Sequence, residues 1–165
     1  MKKRPIIKLE LSITDKIFEV LGWVAVLMTW VLIITNYFKL PDIIPMHYNY
    51  AGQADGFGNK ETILILPIVA TILFIGMTML NKYPHLFNYP KEITENNALK
   101  QYTIATRLIR CLKFAIVLIF GFIVFVSIRD ASGLSSGLSA LFLPLTIGLI
   151  TVPLVYFITK LYKTN

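Results

Sequence analysis

The chain has 165 residues, of which 56% are hydrophobic and 15% charged, and its mean hydropathy is +0.68. A soluble domain carries about a quarter charged residues, so this composition excludes a soluble enzyme, a disordered chain and a nucleic-acid module. The net charge of +7 on so apolar a chain points to membrane topology rather than to DNA, and the single cysteine excludes an internal disulfide framework.

Four apolar runs follow in chain order. Lys2, Lys3 and Arg4 imitate the start of a signal peptide. The run behind them, Val20 to Phe38, is too long for one and has no small-residue cleavage site before Lys39, so it reads as a retained span. The second runs from Thr62 to Leu80, the third from about Leu112 to Ile128, and the fourth from Leu138 to Thr159. Each approaches the ~20 residues that a helix needs to cross hydrocarbon. None alternates as a barrel strand would, and backbone groups in lipid must be satisfied internally, which predicts helices.

Local signals refine this picture. Pro67, Pro144 and Pro153 predict kinks within spans two and four. Gly22, Gly76, Gly121 and Gly148 fall one per span and predict close helix contacts. Thr94 is a candidate N-cap with Glu95 in the first turn. A helix from Glu95 to Ile128 would be ~50 Å long, so its first turns stand outside the ~30 Å hydrocarbon layer. Arg107, Arg110 and Lys113 share one broad face of that helix. They read as snorkelling to anionic lipid head groups, with a cytoplasmic protein partner as the alternative.

Lysine and arginine counts set the orientation. The tails and the connection between spans two and three hold 13 of these residues, against 3 on the other side, namely Lys39, Lys60 and Arg129. Both termini are therefore expected in the cytoplasm of a multi-pass cell-membrane protein. The fold class is an all-α integral membrane protein, a four-helix transmembrane bundle with an ordered outward-facing loop. Residues 1–80 form one unit of two spans plus that loop, and residues 81–165 a C-terminal helical pair.

The outward loop, Leu40 to Glu61, carries the densest polar chemistry. Pro41 and Pro45 favour extended backbone before Gly52. In a strand there, Met46, Tyr48 and Tyr50 would share one face and His47 and Asn49 the other. Asp55-Gly56 is a turn dipeptide. Lys60, if Asn59 caps the second helix, opposes the helix dipole; it reads either as a lysine with a partner, Asp42 or Asp55, or as a solvated lysine that marks the membrane edge. His47, Asn49, Asp55 and Lys60 are thus expected to act as one polar recognition unit, with Asp55 and Lys60 as opposite charges across a glycine-rich turn.

The run Leu40-Pro41-Asp42-x-Ile44-Pro45-x-His47-x-Asn49-x-x-Gly52-x-x-Asp55-Gly56-x-Gly58-x-Lys60 resembles the signature of a bacterial membrane-protein domain of unknown function. That domain also forms the N-terminal part of SdpI-type immunity proteins. The stretch Asn88-Tyr89-Pro90, Ile93 to Asn97 and Tyr102 is similar to the segment after it in small stand-alone members. The resemblance implies immunity or signalling without catalysis.

Enzymatic chemistry finds little support. The four apolar runs contain no Asp, Glu or His, and no H-E-x-x-H, paired cysteine or G-x-S-x-G is present. His47, Asn49 and Asp55 are candidate metal ligands, too few for a zinc site without help. The expected function is a small non-catalytic immunity- or sensor-like membrane protein without a cofactor. Its partners would be membrane lipids, an extracytoplasmic peptide or toxin, and a cytoplasmic protein, with no nucleic acid. The alternatives are a metal-dependent membrane enzyme or accessory factor, or a structural subunit of a membrane complex.

Overall fold

A computed structural model describes residues 4–135 and 137–164, so Lys2 and Lys3 of the basic tail lie outside the described residues. The elements are α1 (Ile13–Asn36), β1 (Ile43–Tyr48), β2 (Ala54–Asn59), α2 (Ile65–Leu80), α3 (Glu95–Ala131) and α4 (Phe142–Lys163). All four helices, with their flanking 3-10 turns, are long and apolar enough to cross a membrane. The chain is a four-helix membrane bundle with one two-stranded antiparallel hairpin between α1 and α2.

α3 is the axis of the bundle. α1, α2 and α4 each pack chiefly on it, and α1 and α2 touch each other only lightly. Ala98, Tyr102, Ala115, Val117 and Val124 face this interior and are buried. At mid-height Val117 meets Val26, Ala70 and Phe74. At the hairpin end Val124 and Ile128 meet Ile33, Leu40, Ile44 and Ile63. α4 leans on α3 through Phe142 stacked on Phe122, with ring centroids 5.5 Å apart, and through Leu161 against Ile104 and Ala105. Gln101, fully buried, donates to the carbonyls of Leu161 and Thr164 and so closes the last turn of α4.

The helix ends depart from the apolar runs for local reasons. α1 starts seven residues before Val20 because Ser12 and Asp15 form a capping box: Ser12 N–H donates to Asp15 Oδ2 at 3.0 Å, and Asp15 N–H to Ser12 Oγ at 3.2 Å. α3 begins at Glu95 as expected, where Thr94 N–H donates to Asn97 Oδ1 at 2.9 Å. α4 starts at Phe142 rather than Leu138. Pro67 and Pro144 then fall in first turns, where a missing N–H breaks no hydrogen bond, and Pro153 alone of the three lies inside a helix. Gly22 and Gly121 do face neighbours, Phe74 and Thr29, whereas Gly76 and Gly148 face open space.

The early start of α1 changes the reading of the basic face. Asp15 and Glu19, four residues apart on one side of α1, lie against Arg107, Arg110 and Lys113 of α3. Arg107 Nε donates to Asp15 Oδ1 at 3.0 Å, and Arg110 Nε to Glu19 Oε1 at 3.1 Å. Lys113 is fully buried, and its Nζ donates to Glu19 Oε2 and to Thr78 Oγ1, both at 2.6 Å. The ammonium also sits 4.4 Å from the Phe74 ring centroid. These three bases therefore hold α1 and α2 onto α3 instead of reaching for lipid. The expectation that the spans carry no acid is corrected too: buried charges are paired, and here the acids come from the first turns of α1.

Removing Glu19 leaves the buried Lys113 ammonium without its charge partner, which costs about 3–5 kcal/mol, whereas removing Lys113 leaves Glu19 bonded to Arg110. Glu19→Ala is therefore expected to lower the thermal midpoint of the detergent-purified protein steeply, and Lys113→Ala to lower it less. Joint replacement, Glu19→Leu with Lys113→Met, should recover most of the loss. Singles as stable as the parent would contradict burial of this pair.

Candidate functional site

The hairpin closes the bundle at the end opposite the termini. Its base is fixed first. Lys60 follows β2 directly; its N–H donates to the Asp42 carbonyl at 2.9 Å and its Nζ to Asp42 Oδ1 at 2.9 Å. The partner of Lys60 is thus Asp42, and the expected Asp55–Lys60 pairing does not form. The reason is geometric: Asp42 and Lys60 flank the strand ends where Ile43 pairs with Asn59, while Asp55 lies farther along β2.

Asp55 bonds His47 instead, with Oδ1 2.5 Å from Nδ1. Both side chains are open to solvent, at 72% for His47 and 44% for Asp55. Asn49 does not join them. Its Oδ1 accepts from the N–H groups of Ala51 and Gln53, at 2.9 and 3.1 Å, and so builds the turn. The turn lies at Tyr50, Ala51 and Gly52, not at Asp55-Gly56, which is inside β2. The four expected residues are therefore three separate devices: a strut at the base, a pair on the strand surface and a turn.

Strict alternation fails in β1 for a related reason. The register runs Pro45 to Phe57, then His47 to Gly56, then Tyr48 to Ala54, with irregularities on both sides of His47. Met46 and His47 consequently both face solvent, and Tyr48 turns inward. Tyr48 O–H donates to Ser127 Oγ on α3 at 3.2 Å. Burial pushes the Tyr48 phenol above the ordinary tyrosine range; the Ser127 hydrogen bond opposes the rise and the nearby Asp130 carboxylate adds to it.

The turn is pinned to the α3–α4 connection. Leu138 N–H donates to the Gly52 carbonyl at 2.7 Å. Gly52 has φ 81°, and a Cβ there would come within 1.8 Å of the Leu138 carbonyl oxygen. Only glycine permits both the backbone angle and the approach. Ile44, 1% exposed, and Pro45 anchor the strand beneath. Between hairpin and α4 lies a groove of about 340 Å³, lined by Tyr48, Asn49 and Gly52 and by Leu138, Phe142 and Leu143. Tyr50 and Phe57 stand outward at 87% and 63% exposure.

As a metal centre the arrangement offers His47 and Asp55 alone, since the Asn49 oxygen is occupied by two backbone amides. Among the described residues no three His, Cys, Asp or Glu side chains gather as a metal cluster. Sequence reasoning put Tyr48 on one face with Met46 and Tyr50, and missed its inward contact with Ser127 and the bond from Leu138 to Gly52. Both contacts cross from the first pair of helices to the second, and no local spacing encodes that.

Comparison with known proteins marks the same region. Residues 24–71 match the family model described as Domain of unknown function (DUF1648). They take in the second half of α1, the hairpin and the start of α2. The chain is also similar to a protein of Archaeoglobus fulgidus described as an uncharacterized protein, 35% identical over 88 residues. That alignment covers 48% of this chain and 48% of the other, so the chain aligns with about half the length of this curated relative. No solved structure matches.

Substitution should separate the devices. Gly52→Val is expected to raise the rate of limited proteolysis within 49–60 more than tenfold while the spans stay intact, because strain and clash both release the turn. Lys60→Ala and Asp42→Ala should each raise it up to about fivefold, as for an exposed pair. Their double variant should be no faster than either single, whereas Lys60→Ala with Asp55→Ala should multiply. Non-additivity of Lys60 with Asp55 and additivity with Asp42 would reverse the assignment.

Proposed function

We propose that the chain is a small non-catalytic protein of the cell membrane, immunity- or sensor-like, whose hairpin recognises an extracytoplasmic peptide or toxin. In this reading both termini and the α2–α3 connection lie in the cytoplasm and the hairpin lies outside. The charge bias of 13 to 3 supports that orientation. The resemblance of residues 40–60 to the domain shared with SdpI-type immunity proteins supports the class of function.

The observation that carries the proposal is a rigid mount with an uncommitted surface. The hairpin is tied down at its base by Asp42 and Lys60, beneath by Tyr48 and at its tip by Leu138. It still leaves Met46, His47, Tyr50 and Phe57 outward. Aromatic groups held on a stiff scaffold lose little entropy when they bind, which is how protein recognition surfaces concentrate their affinity. The groove beside Phe142 and Leu143 offers an apolar slot for one side chain of an extended peptide, with Asn49 and Ser139 also in its lining.

Two experiments test this reading. In a Cys111→Ser background, Gln53→Cys should react with a membrane-impermeant thiol reagent applied outside intact cells and Asn97→Cys should not; labelling of Asn97→Cys from outside contradicts the orientation. For recognition, Tyr50→Ala with Phe57→Ala, and separately His47→Ala with Asp55→Ala, should abolish survival against peptide toxins or envelope stress in cells that depend on this protein. Membrane levels of the variants should stay near normal. If both double variants protect as well as the parent, the hairpin is only a lid on the bundle.

A further inference from the structure

At the terminal end of the bundle the segment from Arg4 to Ser12 crosses the helix ends as an extended strap. Arg4 Nη1 donates to the carbonyls of His85 and Phe87, at 3.1 and 2.6 Å, and Tyr102 O–H donates to the Pro5 carbonyl at 3.0 Å. Ile7 and Leu9 pack beside Ile93, Ala98 and Tyr102. Beneath this strap is a cavity of about 510 Å³ between α1, the end of α2 and α3.

Its walls have two characters. Ile7, Leu9, Leu11 and Pro84 are apolar. Lys8, Lys82 and Arg110 are cationic, and the only acid in the lining, Glu19, is already shared by Arg110 and Lys113. Among the described residues neither the Lys8 nor the Lys82 side-chain amine has a hydrogen-bond or ion-pair partner. Asn81 also lines the cavity; its amide nitrogen donates to the Thr106 carbonyl, but its Oδ1 is buried with no partner. A buried acceptor left unpaired costs free energy that a bound donor recovers.

The cavity also stands at a bilayer edge. α2 ends at Leu80, and Lys82 follows two residues later. α1 and α2 pack on α3 and only lightly on each other, and the cavity lies between their ends.

We infer that this cavity binds the head group of an anionic glycerophospholipid from the surrounding leaflet: Lys8 and Lys82 take the phosphate, a head-group hydroxyl donates to Asn81 Oδ1, and the acyl end lies against Ile7, Leu9 and Leu11. The charge excess selects an anion, the orphaned acceptor selects a head group with a hydroxyl, and the apolar wall selects a lipid over a free ion. The strap makes the site, so the lipid in turn holds the strap down.

The test is retention of lipid by the full-length protein in detergent, read by native mass spectrometry and by the shift in thermal midpoint. Phosphatidylglycerol should be retained and should stabilise, and phosphatidylcholine should do neither. Lys8→Ala with Lys82→Ala should weaken phosphatidylglycerol retention about 30-fold, from about fivefold per juxtamembrane lysine. Lys160→Ala with Lys163→Ala, which removes equal charge at the same end, should change it less than threefold. Asn81→Leu should weaken phosphatidylglycerol more than phosphatidylmethanol, whose head group carries no hydroxyl. Equal loss from the two lysine pairs would reduce the effect to general attraction by a basic surface and overturn the site. Stabilisation by inorganic phosphate or glycerol 3-phosphate as large as that by phosphatidylglycerol would overturn the lipid and leave a free-anion site.

Discussion

The carboxylate of Glu19, held between Arg110 and Lys113, is the contact on which the arrangement of the bundle depends. Lys113 is fully buried, and an ammonium in an apolar interior is tolerable only with a charge partner and further acceptors. Glu19 supplies the charge and the Thr78 hydroxyl a second acceptor, while that hydroxyl donates onward to the Phe74 carbonyl. One cation thereby fixes α1, α2 and α3 in rotation and in height. Apolar packing between membrane helices is poorly selective, because lipid tails are as apolar as leucine. A buried pair is selective, because a helix turned by one residue would leave both charges unpaired. Such pairs add little net stability over a well-packed apolar substitute, and their value here is register.

That register carries through α3 to the other end of the molecule. Val124, Ser127 and Ile128 are the platform for the hairpin, and they sit on the same helix as Arg110 and Lys113. Where α3 stands decides whether Tyr48 meets Ser127 and whether the connection into α4 brings Leu138 N–H to the Gly52 carbonyl. The exposed aromatic groups of the hairpin are therefore mounted on a rigid frame instead of a tether. Loops that carry function commonly depend on such a scaffold.

How much of this was legible in the sequence follows from the range of each interaction. The four helices were legible because unbroken apolar runs act locally, and the start of α3 because its cap is local. The extended segment before Gly52 was legible from its prolines, although the irregular pairing at His47 overrode simple alternation. The true start of α1 was readable in Ser12-Ile13-Thr14-Asp15, a serine followed three residues later by an acid, but the apolar run drew the boundary to Val20. That shift hid Asp15 and Glu19 from the membrane helix and left Arg107, Arg110 and Lys113 assigned to lipid. Asp42 and Asp55 were equally good partners for Lys60 until strand pairing placed one beside it. The contacts of Tyr48 with α3 and of Gly52 with the α3–α4 connection join residues about 80 positions apart, and only the folded bundle brings them together.

A docked, rigid hairpin differs from a mobile loop in the hydrogen exchange of its backbone amides, measured on the full-length protein in lipid nanodiscs. The amides of Leu138, Lys60 and Gly52 donate to Gly52, Asp42 and Asn49 carbonyls, so they should exchange many-fold more slowly than the exposed Tyr50 amide in the turn and should slow together. Exchange of all of them at the rate of an unstructured peptide, with the helix interiors protected, would contradict the account.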